Sequence, residues 1–437
     1  MTELPFYIVT LTHATWDAAR ACARALPDDA LPELRLDLFP DSDAASLVRG
    51  LGGRCLVTNR RVSEGGCAVD ETARLDRLRA AVEGGAAWVD LEWELPLPAW
   101  LDRGRAKVLR SVHVAPGVFD LDERLEQLPE GDAFKWVGHA VRLADNAKVK
   151  PSFGRGLALS AFLMGPKGLP SRCLQRAWGG AFTYAAPDDA VPAAPGQVAL
   201  SAMRAWGCAE LASGAPLMGV LGSPVVHSKG PAFHNPRLRG RALYLPLDCA
   251  DADEAVEALE ALAIPCASIT APLKDTLPVK LGLRGPLNTI WREAGAWCGA
   301  NTDADALRDA LLSKPKGTVL LLGSGGVAET SRAVLEELGC TVLQTSRAST
   351  PSAASITQAA PIGAIQATSL GMAAGDPLPF PELLDAARPS LRWAVEWVYK
   401  ERTAFAGWAA DLDLVGGAPL FESQAEAQSR IFLAAIR

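Results

Sequence analysis

Short apolar runs rich in β-branched and aromatic residues recur along the first half of the chain, and stretches with helical periodicity separate most of them. This alternation is typical of a parallel α/β fold. The apolar runs, counted as strands, cover residues 6–11, 31–39, 54–59, 87–93, 107–113, 133–141, 156–164 and 181–185. The candidate helices cover residues 16–26, 44–51, 71–83, 121–128, 171–178 and 197–206. Eight strands within roughly 200 residues predict a small (β/α)8 TIM barrel.

The α/β pattern starts again after residues 209–216, a short stretch of small and turn-forming residues that indicates a tight domain junction. An apolar run at 217–221 precedes a polar loop at 222–235, and a helix is predicted from 301 to about 313. A strand, a glycine turn and a helix follow at 317–322, 323–328 and 329–338. We therefore expect a barrel at 1–210, an α/β lobe at 217–312 completed by a C-terminal helix at about 418–437, and a Rossmann-like lobe at 313–417.

Composition narrows the class of protein. A chain of 437 residues, with 49% hydrophobic and 21% charged residues, is too long for one core and otherwise ordinary for a globular protein. A formal net charge of −7 provides no basic field for nucleic acid, so small-molecule partners are expected. No apolar run reaches the ~20 residues of a membrane helix and no signal sequence is evident, which predicts a cytoplasmic protein without a membrane partner. Nine Cys without a CxxC pair indicate reduced thiols and no metal site.

Charged residues lie at the ends of the predicted barrel strands, where they would meet in one mouth. Glu33, Arg35 and Asp37 alternate along the second strand and share one face if that strand is regular. Lys135 lies in the middle of the strand sequence AFKWV, where a hydrated ammonium is not expected. A buried Lys near other cations becomes a nucleophilic amine that can form a Schiff base. A structural ion pair is the alternative interpretation of Lys135.

Nine short motifs follow one another along the first half: ELRLD at 33–37, TNR at 58–60 with EGG at 64–66, DLE at 90–92, SVH at 111–113, FK at 134–135, MG at 164–165 with SR at 171–172, and APGQ at 194–197. Together they resemble type I 3-dehydroquinate dehydratase over about 200 residues. The resemblance implies that Lys135 forms an imine with the substrate ketone and that His113 is the general base and acid. It also implies substrate binding by Glu33, Arg35, Arg60, Arg172 and Gln197, with Glu64 and Asp90 in support. Ala193 replaces the Ser usual in that family, which predicts weaker substrate binding and intact chemistry.

The second half has its own series of polar strand ends. Thr270 and Lys274 follow one predicted strand, Asn288 follows another, and Asn301, Thr302 and Asp303 open a helix. A helix cap is the alternative interpretation of Asp303. The loop GSPVVHSKGPAFHN at 222–235 has the composition of a ligand-binding loop at a strand end, and an ordinary surface loop is the alternative interpretation that these residues alone favour.

The sequence GSGGV at 323–327 follows an apolar strand and precedes a helix, the arrangement that receives a pyrophosphate. A lone glycine turn is a weak signal, which its position between strand and helix strengthens. The next strand ends in Ser346 and Arg347, where an acid usually binds the ribose of NAD, so the pair favours the 2′-phosphate of NADP. The predicted cofactor contacts are Gly323, Ser324, Gly325, Gly326, Val327, Ser346, Arg347 and Thr368.

In this order the pieces resemble shikimate dehydrogenase across residues 217–437. The resemblance implies that Lys274 transfers a proton at the reacting hydroxyl while Asp303 holds it, and that the cofactor is NADP(H). It further implies that Ser228 binds the substrate carboxylate and that Thr270, Asn288 and Gln424 bind ring substituents. The two resemblances imply consecutive reactions, dehydration of 3-dehydroquinate and NADPH-dependent reduction of the product to shikimate.

Two alternative functions remain, one suggested by a departure from the shikimate dehydrogenase pattern and the other by the pairing of the two domains. Gly230 stands where that family has a second carboxylate-binding Ser, and the lost side chain suggests room for the extra hydroxyl of quinate or dehydroquinate. A ligand-sensing protein without catalysis is the second alternative. Retention of Lys135, His113, Lys274 and Asp303 disfavours the sensor.

Overall fold

The computed structural model describes residues 4–68, 70–346, 349–400 and 403–436. The chain divides into two compact units. The first contains the residues up to Val220 together with Pro224–Pro265, and the second contains Leu221–Ser223 and the residues from Cys266 onward. No helix among the described residues combines the length and hydropathy that a membrane span requires. The predicted domain boundaries remain predictions.

The first unit contains a parallel eight-stranded sheet in the order β7-β6-β5-β4-β3-β2-β1-β8. The Ala181 amide donates to the Leu159 carbonyl at 2.8 Å across the gap between the outer strands, so the sheet is a nearly closed barrel. Its strands are β1 (Tyr7–Thr10), β2 (Ala30–Arg35), β3 (Leu56–Thr58), β4 (Trp88–Glu92), β5 (Lys107–His113), β6 (Ala133–His139), β7 (Leu159–Met164) and β8 (Thr183–Ala185). The (β/α)8 barrel prediction is confirmed.

Seven α-helices accompany the barrel strands: α1 (Trp16–Ala25), α2 (Ala44–Gly50), α3 (Glu71–Glu83), α4 (Leu121–Glu126), α5 (Leu169–Cys173), α6 (Gln175–Trp178) and α7 (Leu200–Ala205). Short 3-10 helices lie at Leu36–Leu38, Val62–Glu64, Leu143–Lys148, Lys150–Ser152, Pro166–Gly168 and Cys208–Glu210. The prediction of one helix over 171–178 was wrong. The helix is interrupted at Leu174, and the Gln175 side chain instead hydrogen-bonds to the backbone of Ala161 in β7.

Apolar side chains fill the interior of the barrel below the strand ends. Ile8, Leu31, Leu56, Leu109 and Phe162 belong to one buried cluster. Because these residues come from alternating positions of parallel strands, they form the packed layers expected in such a barrel. On the same strands, polar side chains follow this layer, since Glu33 comes two residues after Leu31 and Lys135 two residues after Ala133.

The first unit continues beyond the barrel with β9 (Leu217–Gly222), α8 (Gly230–Leu238), β10 (Leu243–Asp248) and α9 (Ala252–Ala261), β9 crossing the boundary between the units. The prediction of a loop over all of 222–235 was wrong, because α8 begins at Gly230. Pro231 occupies the first turn of α8, where its missing N–H costs nothing.

The second unit contains an antiparallel group of strands and a parallel sheet in the order β15-β14-β16-β17-β18. Its strands are β11 (Cys266–Ile269), β12 (Thr289–Glu293), β13 (Ala296–Ala300), β14 (Thr318–Leu322), β15 (Thr341–Thr345), β16 (Gly363–Gln366), β17 (Trp393–Glu396) and β18 (Asp413–Val415). Its helices are α10 (Thr276–Lys280), α11 (Thr302–Leu311), α12 (Gly326–Glu337), α13 (Ala353–Ala359), α14 (Pro381–Ala387), α15 (Ala404–Trp408) and α16 (Gly417–Ala435).

Strand β14 is buried on both faces. Val319 and Leu321 belong to one apolar cluster, and Leu320 and Leu322 belong to another on the opposite side. This explains why the strand is continuously apolar, as strands of parallel sheets covered by helices on both sides are. The Rossmann-like prediction is confirmed, and it places the glycine turn after β14 at the carboxyl edge of the sheet.

Candidate active sites

A cavity of about 460 Å³ opens at the carboxyl ends of the barrel strands. Every residue around it belongs to the first unit. The lining includes Thr10, Glu33, Arg35, Arg60, Glu64, His113, Lys135, His139, Phe162, Met164, Arg172, Tyr184, Ala193 and Gln197. The structure thus brings together the barrel residues predicted to bind substrate, with Asp90 hydrogen-bonded to Arg60 beside them.

Lys135 is 4% exposed and lies on β6, between Ser111 of β5 and Ser160 of β7. Its ammonium nitrogen is 4.1 Å from the ring centre of Tyr184. Burial lowers the pKa of Lys135 to about 8, and the charge of Arg60 acts in the same direction. An amine with this pKa is unprotonated in a substantial fraction of molecules near neutrality, which is the form that attacks a carbonyl.

His113 ends β5 and approaches Glu64, which lies on the 3-10 helix after β3. The imidazole Nδ1 is 2.9 Å from Glu64 Oε2, and Arg60 donates to the same oxygen at 3.1 Å. Burial, reinforced by the positive charge of Lys135, holds the pKa of His113 well below its ordinary value. A neutral imidazole that donates from Nδ1 to the carboxylate keeps Nε2 available to accept a proton.

The acidic groups beneath the cavity are held by hydroxyl side chains for which the sequence predicted no role. Glu33 accepts hydrogen bonds from Thr10 at 2.7 Å and from Thr58 at 2.8 Å. Ser111 donates to Asp90, whose other oxygen contacts the Arg60 guanidinium. Ser111 lies two residues before His113, so strand periodicity places it on the same face, which was the one available signal.

Arg35 and Asp37 form a two-point ion pair with nitrogen-to-oxygen distances of 2.8 and 2.6 Å. The prediction that Asp37 continues the face of Glu33 and Arg35 was wrong, because β2 ends at Arg35 and Asp37 lies in a 3-10 turn. The turn lets the Asp37 carboxylate also accept from the backbone N–H groups of Arg60 and Cys67. Asp37 therefore fixes the direction of Arg35 and the segment after β3.

Arg172 is 2% exposed, and no ion pair reaches it from the described parts of the chain. One guanidinium nitrogen donates to the Tyr184 carbonyl at 3.2 Å, while Nε is buried without a hydrogen-bond partner. Burial lowers the pKa of Arg172 to about 10. A buried guanidinium in this state fits an anionic ligand, because a bound carboxylate would restore the missing partner.

Gln197 lies in the loop before α7, not in the predicted helix 197–206, which begins only at Leu200. Its side chain donates to the Ala185 carbonyl at 3.0 Å and accepts from the Ala193 amide at 2.8 Å. Both contacts are to backbone groups, so Gln197 shapes the loop that borders the cavity. Ala193 itself lines the cavity where the sequence comparison expects Ser.

His13, Cys22 and Asp189 are a group in the described chain whose potential metal-ligand atoms lie within 4.8 Å of one another. His13 Nε2 is 2.9 Å from an oxygen of Asp189, and this contact lowers the pKa of the exposed Asp189 carboxyl. An ordinary hydrogen-bonded pair accounts for this arrangement.

The second unit contains a separate pair of charged side chains. Lys274 Nζ is 2.6 Å from Asp303 Oδ2, and both side chains are 14% exposed. Asn301, rather than Asp303, caps α11 by accepting from the Ala304 amide at 3.1 Å. Asp303 in the first turn is therefore left to hold the Lys274 ammonium.

Asn288 and Gln424 meet beside this pair through Thr302. The Asn288 amide donates to the Thr302 hydroxyl at 2.9 Å and accepts from the Thr302 backbone at 2.9 Å. The Thr302 hydroxyl lies 3.3 Å from the Gln424 oxygen. Gln428, one turn along α16 and not singled out by the sequence, binds Thr289 and Ser268. Thr270 follows β11, and its amide donates to the Leu221 carbonyl at 2.9 Å.

The glycine turn after β14 leads into α12, whose cap residue Gly325 offers no side-chain hydrogen bond. A Cβ at Gly323, where φ is +123°, would lie 2.7 Å from the Ala367 carbonyl, so the turn requires glycine. A Cβ at Gly325 would meet nothing within 4 Å, and one at Gly326 would lie 3.8 Å from the Lys274 side chain. These residues fit a dinucleotide, since the amides of α12 are open to a pyrophosphate. The turn also lies next to Lys274.

Of the remaining predicted cofactor contacts, Ser324, Val327, Ser346 and Thr368 lie along the same sheet edge. Ser324 lies between Gly323 and Gly325, Val327 follows the last glycine, and the Thr368 hydroxyl after β16 accepts from the Leu370 amide at 3.1 Å. Ser346 follows β15, where its hydroxyl accepts from the Ser349 amide. Arg347 lies outside the described residues.

Ser228 belongs to the first unit, where its hydroxyl accepts from the Gly230 amide at 3.1 Å. A Cβ at Gly230 would lie 2.8 Å from Tyr244 Cε1 and 3.2 Å from its hydroxyl oxygen. The Tyr244 ring therefore fills the space that the sequence predicted beside Gly230 for the extra hydroxyl of quinate. This finding removes the structural basis for a preference for quinate.

Comparison with known proteins agrees with the two resemblances. Residues 7–206 match the family described as type I 3-dehydroquinase. The bifunctional 3-dehydroquinate dehydratase/shikimate dehydrogenase of Arabidopsis thaliana, a chloroplastic protein, is 27% identical over 364 residues, covering 72% of this chain and 60% of that protein. The NADP(+) shikimate dehydrogenase of Microcystis aeruginosa is 33% identical over 140 residues, covering 28% of this chain and 49% of that protein. The chain thus covers about half to three fifths of these relatives.

Two solved structures are similar to this chain. Dehydroquinate dehydratase and shikimate dehydrogenase from S. pombe aligns with all of this chain and 98% of that chain, at 19% identity and a TM-score of 0.40. Shikimate dehydrogenase from Aquifex aeolicus aligns with 51% of this chain and 94% of that chain, at 24% identity and a TM-score of 0.44.

Proposed function

We propose that this chain is a bifunctional enzyme, which dehydrates 3-dehydroquinate in its barrel and reduces the resulting 3-dehydroshikimate to shikimate with NADPH in its second half. The observation that carries the proposal is the barrel cavity, in which a buried Lys135 with a pKa of about 8 accompanies a buried Arg172. An amine and an anion-binding guanidinium in one 460 Å³ cavity fit a small ketone that bears a carboxylate.

In the barrel, Lys135 attacks the C3 ketone, and loss of water gives an imine whose positive charge acidifies the proton on C2. His113 accepts that proton at Nε2 while Glu64 holds Nδ1. The C1 hydroxyl then leaves as water with a proton returned by His113, and hydrolysis of the imine frees Lys135. Arg172 binds the substrate carboxylate, while Arg35, Arg60, Glu33 and Gln197 contact the ring hydroxyls.

In the second half, bound NADPH supplies the hydride for reduction of the ketone. Lys274 donates a proton to the carbonyl oxygen, and Asp303 at 2.6 Å keeps its ammonium directed at that oxygen. The first amides of α12 bind the pyrophosphate, and Thr270, Asn288 and Gln424 contact the ring. We assign the carboxylate to Ser228 and the cofactor 2′-phosphate to Ser346 and Arg347. We also propose that the protein acts in the cytoplasm.

Paired variants test this assignment. Borohydride added during turnover of 3-dehydroquinate is expected to attach substrate to Lys135, as read by peptide mass spectrometry. Lys135→Ala is expected to abolish dehydration and preserve NADPH oxidation with 3-dehydroshikimate, and Lys274→Ala is expected to do the reverse. Adduct formation at another Lys, or loss of both activities in each variant despite normal folding, would contradict the assignment.

A further inference from the structure

Glu254 lies on α9, beyond the barrel in sequence but inside the same compact unit. Its side chain is 9% exposed, and both carboxylate oxygens lie 2.6 Å from the Lys167 ammonium. Oε1 also accepts from the Leu143 backbone amide at 3.2 Å. Lys167 lies in the loop after β7 and Leu143 lies in the loop after β6, so one carboxylate joins two loops of the barrel mouth.

The two loops are joined a second time on the barrel side. Asn146, which is completely buried, donates to the carbonyl groups of Leu143 and Lys167. Its side-chain oxygen accepts from the Ser171 amide at 3.0 Å. Ser171 precedes Arg172 on α5, so the position of the Arg172 backbone depends on how the loop at Lys167 is held.

The loop after β7 also supports the segment that carries Gln197. The Gly165 amide donates to the Pro195 carbonyl at 3.0 Å, and a Cβ at Gly196 would lie 2.2 Å from the Gly165 oxygen. Backbone packing this close transmits displacement, because neither segment can shift without the other. Glu254 thus holds Lys167 in place. The backbone around Lys167 in turn leads to Arg172 on one side and, through Gly165, packs against the segment that carries Gln197 on the other.

We propose that Glu254 is a positioning residue for the dehydratase, supplied by the chain segment that follows the barrel. It holds the loops after β6 and β7 so that Arg172 and the segment 193–197 meet the substrate carboxylate and ring in one geometry. The inference rests on the proposed dehydratase function for its kinetic consequence. The link that the Glu254 carboxylate makes between the two loops is a feature of the fold, and its loss can be measured by hydrogen exchange without any turnover.

The helix offers a matched control. Glu257 lies one turn further along α9 and pairs with Arg142, and both side chains are about half exposed. Glu257→Gln removes the same charge from the same helix without touching Lys167. Glu254→Gln keeps an acceptor for Leu143 and removes the charge that holds Lys167.

In the 437-residue chain, Glu254→Gln is expected to raise the dehydratase KM about three- to tenfold with kcat within about twofold, whereas Glu257→Gln leaves both unchanged. Lys167→Gln should give the same increase, and the double variant should be no worse than either single one, because the partners act as a pair. Amide hydrogen exchange of residues 143–146 and 165–173 should accelerate only in the variants that break this pair.

Each outcome decides the proposal. Equal KM and equal exchange rates in Glu254→Gln and Glu257→Gln would overturn it, as would a fall in thermal stability without a change in KM. If the wild type shows no dehydratase activity, the proposed function fails. The rates of amide hydrogen exchange alone then decide whether Glu254 holds the loops after β6 and β7 together.

Discussion

His113 Nδ1 lies 2.9 Å from Glu64 Oε2, so the residue that we propose as the general base of the barrel is held by a carboxylate from the 3-10 turn after a different strand. Arg60 occupies the same oxygen at 3.1 Å and keeps Glu64 in place. This contact selects the tautomer with its proton on Nδ1. Nε2 is then free to accept a proton.

Replacement of Glu64 by Gln is expected to lower the dehydratase kcat by roughly 10²-fold with little change in KM. The Gln amide can donate to Nδ1, which would transfer the imidazole proton to Nε2 and remove the base. Steady-state kinetics of the variant measure both constants. A kcat equal to that of the wild type would show that Glu64 does not select the tautomer.

The pH dependence of dehydratase kcat/KM should reflect Lys135. Only the unprotonated amine attacks the ketone, so the rate is expected to rise with pH through the pKa of about 8 and become constant above it. His113 stays neutral over this range, since its pKa is held well below the ordinary value. A profile that still rises near pH ~10, as for an unperturbed Lys, would contradict burial as the activating factor.

Arg172→Met separates binding from stability. The dehydratase KM is expected to rise roughly 10- to 100-fold, because a charged hydrogen-bonding partner of the carboxylate is lost. The folded state lowers the pKa of Arg172 to about 10, so its charged form is disfavoured by folding at neutral pH. Thermal unfolding of the ligand-free variant should therefore occur at or above the wild-type temperature. A clear decrease would mean that the contacts of Arg172 with the Tyr184 carbonyl and the Phe162 ring outweigh the cost of burying its charge.

Gly230→Ala is expected to reduce dehydrogenase kcat/KM about tenfold or more, because the new Cβ would displace the Tyr244 ring. Gly407→Ala is the control, since a Cβ there meets nothing within 4 Å. Gly230→Ser should behave like Gly230→Ala with shikimate and with quinate. A gain in selectivity for shikimate over quinate in Gly230→Ser would restore the idea that Gly230 makes room for a hydroxyl.

Cofactor choice is predicted from Ser346 and Arg347. Arg347→Glu should lower kcat/KM for NADP about 10²-fold and leave NAD less affected, because a 2′-phosphate would then face a carboxylate. Parallel kinetics with both dinucleotides measure the ratio. An unchanged ratio would exclude Arg347 as the determinant.

Periodicity predicted the regular elements well. The bounds of β5 and α3 match the predicted 107–113 and 71–83, because long runs with one dominant period leave little ambiguity. Predictions were weaker where side chains override local pattern. The turn at Asp37 and the break before Gln175 both depend on hydrogen bonds to distant backbone groups, which sequence spacing does not encode.

The charged residues of the sites could be predicted from the sequence because a charged group at the end of a buried strand costs free energy unless it is paired or contacts a polar ligand. Their hydroxyl and amide partners could not. Thr10, Thr58 and Gln428 have side chains that are ordinary in strands and helices, and their contacts bridge segments far apart in the chain. The role of Gly230 likewise depended on Tyr244, which only the packing of α8 against β10 reveals.

Conversion of 3-dehydroquinate by the purified wild-type chain in the presence of NADPH tests the central claim most directly. The two activities together predict that NADPH is oxidised mole for mole with the dehydroquinate consumed and that shikimate accumulates. Persistence of dehydroquinate with NADPH unchanged, under conditions in which the protein is folded, would contradict the claim that this chain carries both reactions.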